Sequence, residues 1–252
     1  MVESHLADFE AAARASRAAE FDWRAGYAAV ARAIPADDAP ASRLFGALLA
    51  DIEADARSRP PNGYHNPLHT LDTMRAMDAL CASSERLGLT LACPAHILSI
   101  VMLGHDLRHP GGASGPGRDL ERMSADAVAE FARQCEMPAG LTQQIVDLIL
   151  ATRLPFQKAL RCNSTGDLLA FLVGEADVMA SLLPGLGLEL AMALTQEMQA
   201  AGQPVAMPFE SAPARRVFLG AYTRLSRPAQ ALGLGEVIAA QLAALPSAQN
   251  IF

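Results

Sequence analysis

Alternating apolar–polar runs, the pattern of half-buried strands, are nearly absent from this 252-residue sequence, which argues against a sheet. Paired cysteines are missing too. Cys81, Cys93, Cys135 and Cys162 lie far apart with no CxxC, so neither a disulfide frame nor a zinc knuckle is expected, and reduced thiols of a cytoplasmic protein are. No apolar run is long enough to span a bilayer. The longest, LTLACPAHILSIVMLG (89–104), contains Pro94 and His96 and fits a buried core helix. The opening residues, MVESHLADFEAAARASRAAE, carry acids early and no apolar h-region, so a secretory signal is not expected. Basic charge is in deficit: 20 Lys and Arg against 27 Asp and Glu, a formal net charge of −7. That balance argues against a surface built for DNA or RNA. It leaves room for a small anionic substrate, because a bound cation can reverse the field inside a pocket.

What is present is helical text. Ala, Leu, Met, Glu and Arg are abundant, and Leu168, Phe171, Leu172, Glu175 and Val178 illustrate the recurring period. Proline and glycine interrupt it at 35–40, 60–63, 110–117, 138–140, 184–187, 202–208 and 246, which divides the chain into about ten helices. With no repeat and no linker, one all-α domain over 1–252 is expected. Residues 1–58 could form a helical cap on a core at 60–184.

Histidine is scarce, with six in the chain, and two of them fall in GYHNPLH (63–69). Pro60 and Pro61 close one helix and Asn62-Gly63 turns the chain, so a new helix is expected from Tyr64 to about Leu80. On it His65 and His69, four apart, would share a face, flanked by Asp72. Metal sites use that spacing because two imidazoles converge while a carboxylate orients a ring from behind. GHDLRHPGG (104–112) places His105 and Asp106 at the end of a strongly apolar helix, where a buried carboxylate is costly unless paired or bound to a metal. The plain alternative is a solvated helix cap. His109 follows closely enough to share the cavity, whereas His96 faces the other way and His5 is a bystander. FLVGEADVMASLLP (171–184) again plants acids in an apolar helix. Glu175 and Asp177, two apart, cannot both face one site, and periodicity leaves the choice open. A solvated face suits Glu175 better than Asp177, which Ala176 and Val178 flank.

The ordered set YHNPLHTLD (64–72), HDLRHPGGAS (105–114), LE (120–121), ILAT (149–152) and ADVMASLLP (176–184) resembles the HD superfamily of metal-dependent phosphohydrolases. It is most similar to the catalytic domain of class I cyclic-nucleotide phosphodiesterases. The resemblance covers about half the chain, with a weaker echo around Phe209 to Leu225. It implies a compact multi-helix bundle in which His69, His105, Asp106 and Asp177 hold the tighter of two divalent metals. Asp106 would also touch the second, and Zn, Mg, Mn or Fe would each suit such ligands. Two such ions about 3.5–4 Å apart lower the pKa of a shared water and clamp phosphoryl oxygens. His65 would be the general acid, His109 and Glu121 would orient water, and Asp72 would buttress the first helix. Tyr64 would line the substrate site.

Departures concern the substrate. Arg108, Ser114 and Arg153 stand where the family has an acid, an asparagine and an acid, and Arg215 replaces the purine-binding glutamine three before Phe218. A guanidinium only donates hydrogen bonds and suits phosphate or carboxylate. Arg108, Arg153, Arg215 and Phe218 are thus candidate substrate contacts, with solubilising surface charge as the plain alternative for the arginines. Glu121-Arg122-Met123-Ser124-Ala125 also resembles the E-x-x-S-A segment of compact bacterial HD phosphohydrolases. The expected activity is hydrolysis of a small anionic phosphodiester, with cyclic nucleotides first. A nucleotide phosphomonoesterase, a di-iron oxygenase and a non-catalytic metal-containing domain are the alternatives. No nucleic-acid or membrane partner is expected, and nothing selects between monomer and homodimer.

Overall fold

Asn66-Pro67 sets where the central helix begins. The residue before a proline is driven to extended backbone, and Asn66 adopts it at φ −141°, ψ 173°. Its side chain then accepts from the Leu68 and His69 N–H groups, while Pro67 fills the first helical position, where no N–H is needed. The helix therefore runs Pro67–Arg86 and not from Tyr64. His65 lies before the cap, in a bend, so the two histidines do not stack on one helical face.

In the computed structural model the described residues are 2–17, 22–31, 34–58, 60–115, 117–153 and 165–246. They form twelve helices with no strand beyond an isolated bridge between Gly115 and Arg118. The helices are α1 (Val2–Ala15), α2 (Trp23–Val30), α3 (Ala39–Ser58), α4 (Pro67–Arg86), α5 (Ala95–Gly104), α6 (Leu120–Gln134), α7 (Ala139–Leu150), α8 (Thr165–Leu182), α9 (Pro184–Ala200), α10 (Ala212–Ala221), α11 (Arg227–Ala231) and α12 (Leu234–Ala244). The architecture is an all-α bundle.

Helix α4 sits at its centre, packed against α8, α5 and α2, with α1 and α11 also in contact. It buries residues on every face, from Leu71 and Met74 to Leu80 and Cys81. Helix α5 is buried from Ile97 to Gly104, as an all-apolar helix must be. Each fully buried Leu, Ile or Met there contributes roughly 1.5–3 kcal/mol relative to exposure. The N-terminal helices join the same core. Leu6, Phe9, Tyr27, Leu44 and Leu48 are buried in it, and the Tyr27 hydroxyl donates to the Pro67 carbonyl at 2.6 Å. Among the described residues no single helix is long and apolar enough to cross a membrane; α8 and α9 would pass together by composition, but they meet at 96°. Cys81, Cys93 and Cys135 are buried free thiols, and Cys162 lies outside the described residues.

Glu175 corrects an expectation. It does not belong to a solvated face: its carboxylate is buried, with Oε1 accepting from the Ser226 N–H and Oε2 from the Ser226 hydroxyl, both at 2.6 Å. Ser226 in turn caps α11. Burial outweighs these two hydrogen bonds and raises the Glu175 carboxyl from 4.5 to about 7. A raised folded-state pKa gives stability that is complete below 4.5 and lost as pH climbs through about 7. Glu175→Gln stays neutral and keeps an acceptor for Ser226. In urea melts it is expected to match the parent near pH 4.5 and to exceed it at pH 8 by on the order of 3 kcal/mol. Equal stability at pH 8 would show that this carboxyl ionises without cost.

Candidate metal centre

His69 occupies the first turn of α4, just inside the Asn66 cap. His105 and Asp106 follow the last residue of α5, and Asp177 projects from α8. The three elements pack on one another, so their side chains meet in the core. His69 Nε2 lies 3.3 Å from Asp106 Oδ2 and 3.2 Å from Asp177 Oδ1. His105 Nε2 lies 3.2 Å and 3.4 Å from the same two oxygens, and the two Nε2 atoms are 3.3 Å apart. Ligand atoms ~2.1 Å from one ion are ~3.0 Å apart at right angles and ~3.4 Å apart at the tetrahedral angle. The observed separations match that range.

The donor set itself calls for a cation. His105 Nδ1–H donates to the Met102 carbonyl at 2.7 Å, which leaves the Nε2 lone pair of a neutral ring facing two carboxylates. Lone pairs that close repel unless a proton or a metal lies between them. With no metal, protons fill the gap. Burial pushes the His69 imidazole down, but Asp106 and Asp177 outweigh it and hold it at about 9. His105 is raised well above its ordinary value by the same carboxylates against the same burial. Burial also pushes Asp106 and Asp177 up, and the histidines overcome it, holding Asp106 well below and Asp177 below the usual range. A divalent ion would replace those protons with a stronger charge.

Beside this centre stands a second group that the sequence reading did not assemble: His65, His109 and Glu197. His65 and His109 stack with ring centroids 3.8 Å apart. His65 Nδ1 donates to Glu197 Oε1 at 2.5 Å, and Gly112 N–H donates to the same oxygen at 3.1 Å. Glu197 Oε2 accepts from the Tyr64 and His65 N–H groups at 2.8 and 2.9 Å. Burial pushes this carboxyl up, but the His65 ring and these donors hold it at about 2. His109 Nδ1 accepts from Gly111 N–H at 3.1 Å, and burial holds this ring at about 4, so it is neutral. The lone pairs of Glu197 are thus already committed to hydrogen bonds, which fix the position of the His65 ring. Two glycines permit the fit. A Cβ on Gly63 would meet the Ala193 carbonyl of α9 at 2.9 Å, and Gly112 has φ +81° with the Gln203 side chain 2.8 Å from a would-be Cβ.

Glu197 left one trace in the sequence. It lies seven residues after Leu190 on α9, so a carboxylate occupies the helix's buried stripe. Periodicity alone could not name its partner, which lies 132 residues away.

The other expected site residues take varied places. Asp72 is buried and binds Arg17 at 2.6 Å, tying the end of α1 to α4. The buried Tyr64 ring packs beside His65 and His69, and its hydroxyl shares a hydrogen bond with Ser181 at 3.0 Å, so it supports the histidines from behind. Glu121 accepts from the Ser114 hydroxyl at 2.7 Å. Arg108 borders a cleft of about 40 Å³ shared with His65, Asp106 and His109, but it grips Asp51 through two hydrogen bonds of 2.8 and 2.5 Å. Arg153 pairs with Asp119. Arg215 is buried, donates to the Ser181 carbonyl at 3.0 Å and lies over the Phe218 ring. Phe218 lines a separate pocket that shares no residue with that cleft. Of the four substrate candidates outside GYHNPLH, Arg108 alone borders the cleft beside the centre. His96 pairs with Asp38 at 3.1 Å, at the opposite end of α5.

Neither a protein-family model nor a curated protein matches the chain.

Proposed function

We propose that this chain is a metal-dependent phosphohydrolase of the HD type that cleaves a small phosphodiester, with cyclic nucleotides the first class to test. The observation that carries this reading is the pairing of two centres. His69, His105, Asp106 and Asp177 converge at ion-binding separations, and a glutamate-backed histidine stands beside them. The ordered motifs that resemble the class I phosphodiesterases support it. So does the cleft of about 40 Å³ bordered by His65, Asp106 and His109, which is room for about three waters or a phosphoryl group. A cytoplasmic location goes with the reduced cysteines.

The four converging residues would hold the tighter ion, and Asp106, which also borders the cleft, would reach a second. Ions bound there supply Lewis acidity that lowers the pKa of a water and offsets charge on phosphoryl oxygens. The chain's own contribution is proton management. With Nδ1–H tied to the ionised Glu197, His65 can carry its second proton on Nε2 and present it to a departing oxygen. The neutral His109 stacked on its face fixes the ring plane without adding charge. Asn62 secures that partner by donating to the His109 carbonyl at 2.8 Å.

A panel of cyclic and linear phosphodiesters and nucleoside monophosphates, assayed with Mn²⁺ and with Mg²⁺, tests the proposal. Turnover of at least one diester is expected, with monoesters slower. No turnover on any of them, with metal shown to be bound, overturns it.

A further inference from the structure

A second, larger pocket lies between α8 and α10. Its volume is about 400 Å³, within the range that takes drug-sized ligands. Phe171, Phe209, Val217 and Phe218 form its walls. The Arg215 guanidinium lies 5.3 Å from the centre of the Phe218 ring and is anchored to the Ser181 carbonyl, which holds that ring in place. The one acid in the lining, Glu175, spends both oxygens on Ser226 and asks nothing of an occupant.

The mouth is unusually wet for its chemistry. Val217 is 73% exposed and Met207 46%, and both line the pocket. They are two of the five large apolar side chains most exposed among the described residues. Arg224 also lines it, is exposed, and has no ion-pair or hydrogen-bond partner among the described residues.

The pocket is distinct from the candidate metal centre. It shares no lining residue with the cleft at His65, Asp106 and His109. Glu175 and Asp177, two apart on α8, point roughly 160° away from each other around the helix. Tyr222 marks the boundary: it lines the pocket and lies near enough to Asp177 for that charge to add to the burial that raises its phenol.

We propose that this pocket is a binding site for a small amphipathic anion, whose apolar body fills the aromatic walls and whose acid group meets Arg224. An apolar cavity of this size with Arg224 at its mouth complements a fatty acid or an aromatic acid, and a polar nucleobase would find no Asn or Gln side chain among the described lining residues, whose one carboxylate, Glu175, is already bonded to Ser226.

Fluorescence titration of the whole chain with 8-anilinonaphthalene-1-sulfonate, with decanoate as competitor, tests the site. Saturable binding that decanoate displaces is expected, and it should be unchanged when EDTA strips metal. Ala214→Trp, on the pocket wall, should abolish it. Val217→Asp, at an exposed position, should do the same if the tryptophan variant does not fold, with circular dichroism as the check. Arg224→Gln should weaken the sulfonate probe about fivefold while the neutral N-phenyl-1-naphthylamine binds as before. Binding that does not saturate, survives both wall variants, falls equally for both probes in Arg224→Gln or needs metal overturns the inference. None of these readouts depends on turnover, so failure of the phosphohydrolase reading leaves the result interpretable.

Discussion

His105→Ala is expected to strip the tighter metal, leaving only a small fraction of the parent's content after dialysis and elemental analysis. The side chain is buried, 1% exposed, and its Nε2 touches both carboxylates and the other imidazole. Its removal deletes one donor and opens a void that the Met102 carbonyl, left without the Nδ1–H, cannot fill. The remaining ligands cannot close the shell, and ligand loss is more damaging than the 10–100-fold typical of a change behind a ligand. His69→Ala and Asp177→Ala should behave alike. His96→Ala, at the far end of α5, is the control: its ring pairs with Asp38, so it should keep full metal. The metal-free variant should also be less stable than the metal-free parent by about 3–5 kcal/mol, because Asp106 and Asp177 lose half of the positive charge that neutralises them. Full metal content in all three ligand variants would refute the assignment.

The second large effect is on turnover. His65→Ala should lower kcat by about 10²–10⁴-fold with metal content unchanged, the usual contribution of a positioned general acid. Glu197→Gln should cost less. Glu197 Oε1 and Oε2 accept from the His65 ring and from the Tyr64, His65 and Gly112 N–H groups, and an amide with one oxygen cannot satisfy all four. The His65 ring should lose its fixed orientation, so kcat should fall with KM and metal content unchanged. A purely structural role for Glu197 would reduce stability and leave kcat in place. If His65→Ala turned over like the parent, the proton would have to come from elsewhere. The comparison also separates a hydrolase from a metal-containing binding module, for which neither variant alters any rate.

The two histidines of GYHNPLH show how far pattern reasoning extends. Four-residue spacing places both on one face if the helix covers both. Asn66 and Pro67 are themselves signals of a helix start, and they exclude His65 from α4. That boundary gives His65 and His69 different surroundings, so in the proposed mechanism the same residue type would serve one centre as donor and the other as acid. Arg215 illustrates the opposite case. Its letter suggested an anion contact, yet its guanidinium is buried against the Ser181 carbonyl and the Phe218 ring. Nothing local in APARRVFLG separates Arg215, which is buried, from its neighbour Arg216, which is half-buried.

The sequence by itself determined the helical class, the breaks between helices and the residue types His69, His105 and Asp106 that chemistry could use, because periodicity and breaker residues act over a few positions. Periodicity could not choose between Glu175 and Asp177, a choice made only by the resemblance to the phosphodiesterases, and nothing in the sequence located Glu197 or told which arginine faces the cleft. Those outcomes depend on how α4, α5, α8 and α9 rotate and pack. A two-residue step on a helix turns a side chain roughly 160° away, and only the packing of distant helices decides which direction holds a partner. Asp177 meets two histidines on one side of α8, while Glu175 meets Ser226 on the other.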